Sequence, residues 1–275
     1  MVRPIAFLVG LVFVTALVVA LLMPRDATEM TAAEVFHKEP REFHLASDGP
    51  FGRFDRRQLQ RGFQVYKEVC SACHSLDLVA FRDLEEIGFS KAEVKAIANQ
   101  WAIEVPSVNP DTGEPATRKA LPSDHFPSPY ANETAARAAN NNALPPDLSL
   151  IVKAREGHAA YVHSLITGYA DVPAELKKRF PDSVPPATLH YNPYFANLAI
   201  AMPPPLVADG QVAYTDGTPS TVENYSTDVA AFLTWASEPK LEERHRTGIA
   251  VVIFLLIATT LGFLAYRNVW AGIKH

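Results

Sequence analysis

Two long apolar runs, one near each end, constrain this chain more than any other feature. Ile5 to Met23 is 19 residues without a charge, and Ile249 to Tyr266 is 18. Each is close to the roughly 20 residues that an α-helix needs to cross a bilayer core. The C-terminal run follows Glu242-Glu243-Arg244-His245-Arg246, is unbroken from Val251 to Ala258, and is closed by Arg267 and Lys274. A buried core helix is the alternative, but eighteen residues apolar on every side favour lipid. The N-terminal run follows a lone Arg3, as in a signal peptide. Yet 19 residues exceed the usual apolar region of about 7–15, and Val18-Val19-Ala20 and Met23-Pro24-Arg25-Asp26 are poor cleavage sites. A retained anchor is therefore expected, with a cleaved signal as the alternative. The boundaries that follow are an N-terminal segment 1–23, an extramembrane domain 24–246, an anchor 247–267 and a tail 268–275.

Cys70-Ser71-Ala72-Cys73-His74 uses the only two cysteines of the 275 residues. A C-x-x-C-H run is the attachment pattern of a c-type haem. On a helix the three side chains share one face, so each thiol can add to one haem vinyl group while the adjacent imidazole reaches the iron. A zinc site would need four ligands, and no second cysteine pair exists. A redox dithiol explains the spacing but gives no reason for His74. Because covalent haem attachment takes place outside the cytoplasm, the domain is expected on the periplasmic side of a bacterial cytoplasmic membrane. Arg3, Arg267 and Lys274 agree with that orientation, although Arg244 and Arg246 weaken the asymmetry.

All 30 acidic residues and 22 of the 25 basic ones fall within 24–246, leaving that segment at −8. Any one acidic cluster, such as Asp83-Leu84-Glu85-Glu86, is most simply a solvated surface. Together they suit a basic soluble partner by steering. A nucleic-acid partner is not expected.

The secondary structure expected is mainly α and loop-rich. Residues 24 to 53 read as an extended arm. Asp55 caps a helix whose stripe of Leu59, Phe63, Tyr66, Val69 and Cys73 carries the cysteine motif, with Gln58 as a weak capping-box partner. Further helices are expected at Ser90–Gln100, Glu133–Asn140, Leu148–Ala154 (capped by Asp147), Ala159–Thr167 (stopped by Gly168) and Asp228–Ser237. Val105 to Tyr130 reads as a long loop, and 171 to 226 as proline-rich and irregular. No clear alternating strands are present.

A six-coordinate haem iron needs a second axial donor, and methionine is usual in an electron carrier. Met1 and Met23 belong to the N-terminal segment and Met30 lies just beyond it, so Met202 alone remains inside the domain. Pro203-Pro204-Pro205 behind it would hold the thioether rigidly. A gap-filling core methionine is the ordinary alternative, and His125, His158, His163 and His190 are rival ligands.

At these residues the sequence resembles the cytochrome c1 family, the haem subunits of quinol–cytochrome c oxidoreductase, over roughly residues 53 to 267. The resemblance rests on Arg61-Gly62-Phe63-Gln64-Val65-Tyr66 leading into the cysteine motif and on Ala135-Ala136-Arg137-Ala138-Ala139-Asn140-Asn141. It also rests on Leu144-Pro145-Pro146-Asp147-Leu148-Ser149, Tyr161 to Tyr169, Asn192 to Pro205, and Phe232 to Pro239. It implies a loop-rich c-type cytochrome domain with long insertions, a C-terminal transmembrane helix, and an N-terminal transmembrane or signal segment. One covalently bound haem c would be held by Cys70 and Cys73, with His74 and Met202 as axial ligands. Arg155 matches the arginine that pairs with a haem propionate, Asn140 and Tyr161 match residues near the propionates, and Pro145 and Pro146 match prolines beside the haem. A buried propionate needs such donors.

Some positions depart from the family pattern. Asn142 stands where glycine is usual, though asparagine tolerates a left-handed backbone, and Ala196-Asn197 replaces a common Pro-Gly before Met202. The extra disulfide of some bacterial relatives has no cysteines here, and a retained N-terminal span is not typical of the family.

The function implied is electron transfer from a Rieske iron–sulfur protein to a soluble cytochrome c, in a dimeric complex with cytochrome b, without independent catalytic chemistry in this chain. A stand-alone membrane-anchored cytochrome c carrier is the alternative. A haem enzyme or gas sensor would require an open sixth position, which the proline-flanked Met202 argues against.

Overall fold

The computed structural model describes residues 2–23 and 29–272; the first residues of the expected arm, 24–28, and Met1 and Lys274 lie outside them. The helices are α1 (Val2–Leu22), α2 (Ala32–Phe36), α3 (Arg56–Val65), α4 (Lys91–Asn99), α5 (Glu133–Ala139), α6 (His158–Thr167), α7 (Ala174–Arg179), α8 (Val222–Ser237) and α9 (Leu241–Trp270). Three short antiparallel pairs accompany them. They are β1 (Leu76–Ala80) with β4 (His125–Phe126), β2 (Val105–Val108) with β3 (Pro115–Arg118), and β5 (His190–Tyr191) with β6 (Ala199–Ile200). The chain is mainly α, as expected.

Residues that free a helix end to start do so where the sequence places them. Asp55 Oδ1 accepts from the backbone N–H of Arg57 and Gln58, and Ser90 forms a reciprocal capping box with Glu93. Gln58 forms no such box. From α3 the backbone passes into a π-helical turn, Tyr66–Cys70, in which the Ser71 N–H donates to the Tyr66 carbonyl at 2.8 Å. Such turns widen a helix locally and recur at functional sites.

The main core forms where α3 crosses α8. Gly62 makes that approach possible: a Cβ there would lie 2.0 Å from the Asp228 carbonyl oxygen and 2.7 Å from the Phe232 Cβ. Around the crossing pack Phe63, Tyr66, Phe81, Trp101, Phe126, Phe232 and Trp235, all buried. The rings of Phe81 and Phe126 are 4.3 Å apart between centroids, and those of Trp101 and Phe126 5.0 Å. A second, smaller apolar cluster joins Ala32 of α2 to Leu176, Tyr191 and Leu198.

Several expectations are corrected. Leu148–Ala154 forms turns; the Leu148 N–H donates to the Ser75 carbonyl at 3.0 Å and the Ser149 hydroxyl accepts from the Leu78 N–H. Asp147 accepts from Ser149 but spends its other oxygen on Ser75 and Asp77. The stretch from Val105 to Tyr130 holds the β2–β3 ribbon and β4, and the segment from 171 to 226 holds α7, β5, β6 and the start of α8. The left-handed tolerance expected of Asn142 is used, at φ +65. In the turn before Met202 the left-handed position falls on Leu198, also at φ +65.

α1 and α9 are each long and apolar enough to cross a membrane, and their apolar windows are unburied by the rest of the chain. α9 extends beyond the expected span at both ends. Only Glu238, Pro239 and Lys240 separate it from α8.

Candidate functional site

The cysteine motif leaves the π turn as a tight bend. The N–H groups of Cys73 and His74 both donate to the Cys70 carbonyl, at 3.1 and 2.9 Å. Both cysteines are unpaired and half-buried. Burial, with Cys73 adding to it, pushes the Cys70 thiol up to about 12. A disulfide-exchange nucleophile needs the opposite shift. Among the described residues no three or more His, Cys, Asp or Glu side chains gather in a group that could hold a metal ion.

His74 Nδ1 lies 2.8 Å from the carbonyl oxygen of Pro146. A carbonyl can only accept, so Nδ1 carries the proton and Nε2 keeps its lone pair. Burial holds this imidazole below its ordinary pKa, against the Pro146 carbonyl and Asp147, which act the other way. The ring is therefore neutral at neutral pH. Pro146 is held in place by Asp147, whose Oδ2 accepts from the Ser75 hydroxyl at 2.9 Å and the Asp77 N–H at 2.7 Å. The Tyr66 hydroxyl donates to the His74 carbonyl at 3.0 Å.

Tyr130, which the sequence did not single out, faces Cys73 through its hydroxyl. The amide of Asn140 donates to that hydroxyl at 2.9 Å and to the Ala136 carbonyl at 2.7 Å. A second group gathers Arg155, Tyr161, Tyr169 and Met202. Burial raises the pKa of Tyr161, and Arg155 beside it opposes the shift. Burial raises that of Tyr169 also, with Tyr161 adding to it. The Tyr169 hydroxyl donates to the Met202 carbonyl at 3.0 Å. Met202 is half-buried, two residues beyond β6, with its prolines behind it. Arg155 is exposed and donates to the Ala154 carbonyl at 3.1 Å.

Direct contacts link the expected residues in two groups, Cys70, Cys73, His74, Pro146 and, through Tyr130, Asn140 in one, and Arg155, Tyr161 and, through Tyr169, Met202 in the other. No hydrogen bond among the described residues joins a member of one group directly to a member of the other. Of the rival histidines, His125 Nδ1 bonds the Asp77 carbonyl and His158 Nδ1 the Val152 carbonyl at 3.0 Å. His163 Nε2 lies 3.2 Å from Glu223, and its ring stacks on Phe43. His190 sits in β5 beside the Tyr169 ring.

This donor set fits a haem: two thiols, an imidazole with its distal nitrogen free, a thioether, and an arginine close to tyrosines. The roles of Tyr130 and Tyr169 escaped the sequence reading because each depends on a contact across the fold. Asp147 was legible as a cap but not as the clamp on β1.

A family model described as the cytochrome C1 family matches residues 45–273. The chain is 44% identical over 236 residues to "Cytochrome c1" of Rhodospirillum rubrum, covering 82% of this chain and 86% of that protein. It is 43% identical over 272 residues to "Cytochrome b-c1 complex catalytic subunit, mitochondrial" of Candida albicans, covering 98% and 91%. It is 46% identical over 239 residues to "Cytochrome b/c1" of Bradyrhizobium diazoefficiens, covering 81% of this chain and 34% of that longer protein.

Proposed function

This chain belongs to the cytochrome c1 family, and on that premise we propose that it is the haem-bearing electron-transfer subunit of a quinol–cytochrome c oxidoreductase. One haem c, when bound, supplies a one-electron couple whose potential a His/Met ligand pair raises. Cys70 and Cys73 would hold it through thioethers, and His74 and Met202 would ligate its iron. Arg155, Asn140 and Tyr161 serve the propionate side, and Pro145 and Pro146 pack beside the ring and the ligating imidazole. The bond from His74 Nδ1 to the Pro146 carbonyl carries this reading. It fixes the tautomer and ring orientation that a metal-binding imidazole needs, and it raises the basicity of the free nitrogen.

The chain takes one electron from a Rieske iron–sulfur protein and passes it to a soluble cytochrome c. No proton or group moves at this subunit. Cytochrome b is the membrane partner, a reading supported by a relative whose name joins b and c1, and the complex is dimeric. The domain 24–246 faces the periplasm, residues 247–267 anchor it, and 268–275 return to the cytoplasm. Residues 1–23 form a second span.

The test is a comparison of ferric and ferrous spectra between the purified protein and a Met202→Leu variant, with haem staining after denaturing electrophoresis. Covalent stain retained by the wild type, lost in a Cys70→Ala/Cys73→Ala variant, is expected. So is a weak red-edge sulfur-to-iron band that disappears in Met202→Leu. A wild type without that band, or a variant that keeps it, overturns Met202 ligation. Purification without cytochrome b and an iron–sulfur protein would instead favour a stand-alone carrier.

A further inference from the structure

The segment preceding the first core helix crosses the fold and binds the stretch that presents Met202. We propose that residues 31–45 act as a strap holding the Met202 segment in place, with Arg41 as its central positioning residue. The inference rests on the reading of Met202 as an iron ligand.

The strap is fastened at several points. α2 begins with a capping box at Thr31 and Glu34 and places Ala32 and Phe36 in the apolar cluster with Leu176, Tyr191 and Leu198. The Lys38 N–H donates to the Pro193 carbonyl at 2.8 Å. The Arg41 N–H donates to the Ser164 hydroxyl at 2.9 Å, and its guanidinium donates to the Thr167 hydroxyl while lying 5.6 Å from the centre of the Tyr194 ring. Phe43 then stacks on the buried His163, with centroids 4.5 Å apart.

What the strap grips leads straight to Met202. Tyr194 sits in the turn from Asn192 to Leu198, closed by the Asn192 N–H to the Leu198 carbonyl at 3.0 Å. That turn joins β5 to β6, and Met202 follows β6. The turn carries Leu198 at φ +65, a conformation a bulky residue avoids unless its surroundings impose it. Gly168 admits the Tyr194 ring: a Cβ at 168 would lie 2.3 Å from the ring's Cδ2. Arg41 therefore ties the end of α6 to the ring that anchors the turn. A cation over an aromatic face and a charged hydrogen bond together bias such a turn toward one arrangement. Without them, conformers in which the thioether withdraws gain population.

The experiment uses the holoprotein in its purified complex and compares wild type with Arg41→Ala, Arg41→Lys and Arg118→Ala. Arg118 holds Asp124 far along the chain and serves as a control for general loss of stability. For Arg41→Ala the expected result is a weakened red-edge sulfur–iron band and about tenfold more carbon monoxide binding by the reduced protein. Arg41→Lys, which keeps a cation, is expected to restore most of the band, and Arg118→Ala to leave it intact. If Arg41→Ala does not accumulate, Arg41→Gln is read by the same criteria. A wild-type band that survives unchanged in the Arg41 variant, or that weakens equally in Arg118→Ala, overturns the strap alone. A wild type without the band overturns Met202 ligation and the strap with it.

Discussion

Arg61 closes on Asp228 as a two-pronged fork, Nε to Oδ2 at 2.7 Å and Nη2 to Oδ1 at 3.2 Å, while Nη1 reaches Asp216 at 2.9 Å. The Asp228 side chain is 3% exposed. The fork therefore joins the helix that leads into the cysteine motif to the helix that leads into the long apolar helix α9. Removing one partner leaves the other buried and uncompensated. Arg61→Ala is expected to cost about 3–5 kcal/mol in chemical denaturation. Arg61→Lys should recover only part of that, because an ammonium cannot reproduce the fork.

Gly62 lies one residue further on, at the closest approach of α3 and α8. Gly62→Ala improves helix propensity by roughly 1 kcal/mol, yet its Cβ would meet the Asp228 carbonyl oxygen at 2.0 Å. Overpacking against backbone dominates. The expected outcome is net destabilisation of about 1–3 kcal/mol, seen as a lower Tm. An unchanged or higher Tm would show that the crossing can widen.

Asp147 is the clamp behind His74. Asp147→Ala strands the Ser75 hydroxyl and the N–H groups of Asp77 and Ser149. A loss of about 1–3 kcal/mol is expected. The His74 imidazole should also lose its fixed orientation as the Pro146 carbonyl drifts. Haem-edge resonances in NMR spectra of the ferric protein would report that second effect, which a purely structural loss elsewhere leaves unmoved.

Acid should expose the Arg118–Asp124 pair. The Arg118 guanidinium, bonded to both carboxylate oxygens at 2.6 and 2.9 Å, holds the Asp124 carboxyl down at about 2. The unfolded chain would protonate it near about 3.9. Because the folded pKa is the lower one, the unfolded state binds the proton first. The pair's contribution is full above about pH 4 and fades as the pH falls toward 2. Asp124→Asn is expected to flatten acid denaturation across that window, as followed by circular dichroism, and an unchanged profile would count against the pairing.

What could be read from the sequence was what local chemistry alone decides. The Asp55 and Ser90 starts, the apolar stripe on α3 and the two terminal runs depend on neighbours in the chain. The turn at Leu148–Ala154 does not. Its residues have adequate helix propensity, but they are pinned to Ser75 and Leu78, far away in sequence. The short ribbons escaped for a related reason, since two to five residues are too few to display a period of two. At the candidate site Cys70, Cys73 and His74 stand in a recognisable pattern, whereas Tyr130, Tyr169 and the Asp147 clamp act through contacts that only folding creates.

The break between α8 and α9 is three residues long and is held from several directions. Glu238 takes both Lys153 and Arg244, Lys240 reaches Glu86 at 2.9 Å, and Glu242 accepts from the Phe54 N–H and from Arg56. A domain moored in this way does not swing on a leash. Its heading relative to α9 is set once, when the chain folds. On the proposed function, any travel needed to bring donor and acceptor within range would be made by the visiting proteins, with this one as the fixed pier between them.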